Sequence, residues 1–97
     1  MELSKEGQQI LRNLLVQRII GGKHLPETIC LRWIRHLPKQ EHRKVIKEWK
    51  WCIKEGLVLT KPKPSDRHVF LNAKRIKEIK ELIKNGEETN EPRNTVG

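Results

Sequence analysis

The sequence predicts a mainly α-helical single domain with one small β-hairpin, in the order helix, helix, helix, hairpin, helix. Three observations lead there. Apolar residues recur at helical spacing in four segments bounded by glycine or proline. A proline-rich basic stretch, Lys61-Pro62-Lys63-Pro64-Ser65-Asp66, has a short β-prone run on each side. The length of 97 residues allows one modest core and not two.

The first helix reads as Ser4 to Ile20. Ser4 suits an N-cap, Glu6 places negative charge in the first turn, and Gly21-Gly22 make a stop. Gly7 lowers helix propensity near the start and predicts fraying there. Leu3, Ile10, Leu11, Leu14, Leu15, Val16, Ile19 and Ile20 spread over more than one stripe. Such a helix needs cover on several sides, from the middle of the core or from a second copy of the chain.

Lys23 to Leu25 form a short link, and Pro26 opens a second helix where a missing N–H costs nothing. Ile29, Cys30, Trp33, Ile34 and Leu37 define its buried stripe, with Arg32 and Arg35 outside. Pro38 ends it, so a turn falls at His36 to Lys39. Two helices joined by so few residues pack at a steep angle, a helix-turn-helix arrangement, here with proline in the turn instead of glycine.

The third helix, within Pro38 to Glu55, separates into two faces when advanced by about 100° per residue. His42, Val45, Ile46, Trp49, Cys52 and Ile53 fall on one side. Gln40, Arg43, Lys44, Lys47, Lys50, Trp51 and Lys54 fall on the other, while Glu41, Glu48 and Glu55 line one flank as surface acids. A lysine-rich face alone is also what an ordinary solvated helix presents. Trp33 and Trp49 are expected in the core, and His42 as a packing residue at the edge of the apolar face. Trp51 either stacks on a base or sugar or packs over a neighbouring loop.

Gly56 supplies a C-cap. Leu57 to Thr60 and Arg67 to Leu71 then form the hairpin, with Val58, Val69 and Leu71 turned to the helices and Phe70 adding to the packing. Asn72 N-caps a last helix, Ala73 to Lys84, with the narrow stripe Ile76, Ile79, Leu82 and Ile83, and Asn85-Gly86 end it. That stripe suits one partner, either the first helix or a second chain, and we expect a homodimer through the first and last helices. Glu87 to Gly97 lack periodicity, so the domain spans 4–84 and residues 85–97 form a disordered tail.

The formal charge is +9 from 21 bases and 12 acids. From Asn85 onward there are three acids and one arginine, which leaves 20 bases against 9 acids in the body. A field of that sign favours a polyanion. The first residues show no signal-peptide pattern and no apolar run reaches membrane-spanning length, so a cytoplasmic location is expected. Cys30 and Cys52 sit among apolar residues and read as buried reduced thiols. No ligand pair has the short spacing of a structural zinc site, and no Gly-rich phosphate loop, HExxH or nucleophile elbow occurs. We expect no enzyme, cofactor, metal or small-molecule ligand.

From Ser4 to Lys84 the chain resembles the winged helix-turn-helix superfamily, in particular its small single-domain prokaryotic and archaeal regulators. The resemblance rests on the turn at His36 to Lys39 followed by an amphipathic helix, on the phrase IKEGLVLTKP, and on RHVFLN leading into a helix. Trp51 on the charged face and the proline in the turn depart from the pattern. The resemblance implies binding of double-stranded DNA by a transcriptional regulator, with the third helix in the major groove. Lys39, Gln40, Arg43, Lys44 and Lys47 would face the bases, Arg43 suited to guanine and Gln40 to adenine. Lys50, Lys54 and Trp51 would lie farther along, and Lys61, Lys63, Arg67 and His68 of the wing would meet the backbone or the minor groove. The alternative it leaves open is a module for RNA or protein–protein interaction.

Overall fold

The computed structural model describes residues 2–89, with side-chain surroundings as far as Ile83. The chain folds as α1 (Lys5–Val16), β1 (Leu25–Pro26), α2 (Glu27–Arg32), α3 (Lys39–Lys54), β2 (Val58–Lys61), β3 (His68–Leu71) and α4 (Ile76–Thr89). It is mainly helical with a small antiparallel sheet of three strands in the order β1-β3-β2. Among the described residues no helix is long and apolar enough to cross a membrane.

Ser4 caps α1 as expected, its hydroxyl accepting from the Gly7 N–H at 3.1 Å. The helix stops at Val16, four residues before the expected end at Ile20. Arg18 takes a left-handed conformation (φ 58°), the Ile19 N–H reaches back to the Leu14 carbonyl, and the Arg18 N–H to that of Leu15. This is a Schellman closure with arginine where glycine is usual. Ile19 and Ile20 can then run beside the sheet, where Leu71 N–H donates to the Ile19 carbonyl at 2.8 Å.

The same closure ends α3, this time with the expected Gly56 (φ 78°), and Leu57 N–H bonds to the Cys52 carbonyl. Asn72 fulfils its capping role by accepting from Lys74 N–H at 3.0 Å, and its amide donates to the Gly56 carbonyl at 2.8 Å. It opens a 3-10 turn, Ala73–Arg75, before α4.

The core has α1 at its centre. Leu11, Leu14, Val58, Val69, Leu71 and Ile79 are fully buried in it. The stripe of α4 turns Ile79 and Ile83 inward and α4 packs on α1 of the same chain. Ile76 and Leu82 of the same stripe stay partly exposed. α4 also continues through Asn85-Gly86 to Thr89, since one helical glycine costs only about 1 kcal/mol. The rest of the expected tail, residues 90–97, lies outside the described residues.

Several side chains differ from expectation. Trp33 and Phe70 are half-buried, not central. Phe70 pairs with Leu59 across the strands on the sheet's outer face, because the register Val58↔Leu71 and Thr60↔Val69 gives the inner face to the others. Leu25 belongs to a third strand instead of a link, paired with Val69, and Pro26 is paired with His68. A proline is admissible there because β1 lies at the sheet edge. Both cysteines are buried and free, and burial pushes each thiol up to about 12, Glu27 adding to the effect at Cys30 and Glu48 at Cys52.

Glu48 is the clearest reversal. It is 4% exposed, and its carboxylate accepts from Ser4 Oγ at 2.7 Å and from Ser4 N at 3.1 Å. It is therefore no surface acid of α3 but the tie that holds α3 to the start of α1, where negative charge also meets the positive end of the helix dipole. Gly7 leaves room for it: a Cβ there would fall on Glu48 Oε1. Gly7 is thus a close-packing residue, and the expectation of fraying does not hold. Gly7→Ala is expected to lower stability by about 1–2 kcal/mol despite alanine's better helix propensity, because the displaced carboxylate is buried and doubly hydrogen-bonded. Thermal unfolding checks this; a midpoint at or above that of the unsubstituted chain would mean the carboxylate yields freely.

Candidate nucleic-acid interface

The outward side of α3 is a cationic strip. Glu48, Val45, Cys52 and Trp49 are its buried residues. The turn of the helix, about 100° per residue, sets Lys50, Arg43, Lys54 and Lys47 directly opposite them. Lys39, Gln40, Arg43, Lys44, Lys47, Lys50 and Lys54 are all exposed. Among the described residues none of the six cations is engaged in an ion pair. From Lys39 to Lys54 the strip runs ~22 Å along the axis, long enough to follow a groove or several phosphates.

The hairpin is tied to the helix pair at its root. The Glu27 carboxylate, at the start of α2, accepts from Trp49 Nε1 of α3 at 2.7 Å and from Arg67 Nε and Nη2 at 2.8 and 3.0 Å. One carboxylate thus joins α2, α3 and the approach to β3. Two further bonds brace the same corner. Thr28 Oγ1 donates to Asp66 Oδ2 at 2.6 Å, and Glu27 N–H to the Arg67 carbonyl at 2.9 Å. Arg67 holds the Glu27 carboxyl below the ordinary carboxylate value; burial pushes the other way, and Trp49 adds to the lowering.

The expected wing residues therefore divide. Lys61 and Lys63 are exposed and carry no ion pair among the described residues. Arg67 is exposed but committed to a two-pronged bond with Glu27. His68 faces His24, the two Nδ1 atoms 2.8 Å apart. On α3, Trp51 is half-buried and lines a groove of about 450 Å³ with Glu55, Leu57, Arg75, Glu78 and Leu82, against α4. Its neighbour is α4 and not the loop or wing expected for a packing role.

Reasoning from sequence did not find Glu27, Glu48 or His24. An acid straight after Pro26 looks like a first-turn charge, and an acid seven residues from two others looks like surface spacing. Their partners lie 22 to 44 residues away, so no local signal marks them. No family model, no curated protein and no solved structure matches this chain.

Proposed function

We propose that this chain is a double-stranded DNA-binding transcriptional regulator of the winged helix-turn-helix kind, with α3 in the major groove and the 61–67 hairpin tip on the backbone. One observation carries the reading: the cations of α3 stand on its solvent side with no carboxylate partner among the described residues, while its other side fills the core. Glu48 is spent on Ser4 and Glu27 on Arg67 and Trp49, so neither offsets the charge of the strip. The braced hairpin with exposed Lys61 and Lys63 supports the same reading, whereas the connection from α2 to α3 spans residues 33–38, longer than the expected turn at His36 to Lys39. The expected homodimer through the first and last helices remains part of this proposal, with Val16 of α1 exposed and Ile76 and Leu82 of α4 partly so.

The test is duplex DNA binding as a function of salt. Neutralising about five phosphates gives a log–log slope near −4 to −5. Lys63→Ala is expected to weaken all duplexes about equally and to reduce the slope by about one, measured by fluorescence anisotropy. Structured RNA or single strands that compete more strongly than duplex would favour the RNA-module alternative and overturn the proposal.

A further inference from the structure

Away from the α3 strip, the outer face of the sheet carries a cluster that has no structural task. His24 and His68 meet there with Nδ1 atoms 2.8 Å apart and ring centroids 4.9 Å apart, and Phe70 flanks His24 at 6.5 Å. Lys61 is the cross-strand neighbour of His68, and Lys63 follows in the exposed tip. The carboxylates nearest in the hairpin are committed elsewhere, Asp66 to Thr28 and Glu27 to Arg67 and Trp49. Two facing Nδ1 atoms hold one hydrogen between them, one donating and one accepting. The contact therefore persists only while one of the two nitrogens is unprotonated. Burial, then Lys61, His68 and Lys63, all hold His24 below the ordinary 6.5. The place disfavours a charged imidazole and holds no carboxylate bonded to either ring among the described residues.

We propose that His24, His68, Lys61 and Lys63 form a phosphodiester subsite for duplex DNA at the root of the wing, filled with uptake of one proton. This rests on the DNA-binding reading above. A phosphodiester brings one negative charge that offsets Lys61 and Lys63. His24 then takes a proton from solvent, the Nδ1–Nδ1 contact opens, and both rings can donate N–H to phosphate oxygens. The sign follows from linkage. In the free protein His24 resists protonation, in the complex the phosphate favours it, and so affinity rises as pH falls through the histidine range.

The experiment measures duplex affinity at pH 5.5 and pH 8 at constant ionic strength, with wild-type protein, the double variant His24→Gln/His68→Gln, and a control, His36→Gln/His42→Gln. Uptake of one proton limits the gain to about tenfold per pH unit. The expected result is a five- to tenfold gain for wild type and control on going to the lower pH, and a loss of most of that gain in the His24/His68 variant. Calorimetry of wild type in two buffers of different ionisation enthalpy should show net proton uptake at pH 6.5 without recourse to any variant. A gain that survives in the His24/His68 variant, or no proton uptake, overturns the inference while the DNA-binding reading stands. Absence of duplex binding at both pH values overturns that reading.

Discussion

With α3 docked in the major groove as proposed, Arg43→Ala is expected to abolish most of the preference among DNA sequences while leaving the fold untouched. Arg43 is exposed, opposite the buried residues of α3, and makes no ion pair among the described residues, so its truncation opens no cavity. In the proposed docking its planar guanidinium is the one α3 side chain that can fork onto the two acceptors of a guanine. Such a contact is worth about 1–3 kcal/mol of discrimination. Against a duplex selected from random sequence, affinity should therefore fall roughly tenfold to a hundredfold, and against scrambled duplex only a few-fold, with the salt slope reduced by about one. Arg43→Lys separates charge from shape. It should keep the scrambled-duplex affinity and lose part of the preference, because an ammonium is a compact charge without the guanidinium's planar fork. If alanine weakened every duplex equally, α3 would not be reading bases through Arg43.

Glu27→Ala should be the most destabilising of the substitutions near the interface. It removes the shared acceptor of Trp49 Nε1 and the Arg67 guanidinium, whose bonds are 2.7 to 3.0 Å long. The Arg67 end is half exposed and loses little. The indole N–H belongs to a side chain only 4% exposed, and is left without a partner. Together we expect a loss of about 2–4 kcal/mol, or roughly 10–20 °C in unfolding midpoint for a domain of this size. Arg67→Ala, which spares the Trp49 bond, should cost markedly less, and equal losses for the two would show that the ion pair and not the indole bond matters. The pH dependence has a definite sign. The folded Glu27 carboxyl lies below its ordinary 4.5, mainly through Arg67, so its contribution is complete above that value and disappears as pH falls through the lower folded value. Wild type should lose stability in that acid window more steeply than Glu27→Ala does.

Segments with strong local punctuation were legible from the chain alone. Ser4, Gly56 and Asn72 cap what they were expected to cap, since a cap is a bond between neighbours or a backbone angle that one residue type favours. The α3 strip was legible for the same reason, as helical spacing alone separates Arg43 and Lys47 from Val45 and Trp49. The end of α1 was not: Arg18 takes the angle that the glycines three and four residues later seemed to announce, because Leu14 and Ile19 close on the core. Nor was β1, whose two residues have no periodicity and exist as a strand only because β3 is beside them.

The amino-acid sequence by itself determined a small, basic, mainly helical domain, the hairpin, and which residues of α3 can meet solvent, all of which follow from composition and from periods of two and 3.6 residues. Only the tertiary structure decided which charges remain available. Arg67, Glu27 and Glu48 look alike in one dimension to Lys63, Glu41 and Glu55, and differ because folding brings partners from 22 to 44 residues away within hydrogen-bond reach. Charge is a property of a residue, whereas its freedom to act on another molecule depends on what the fold has placed beside it.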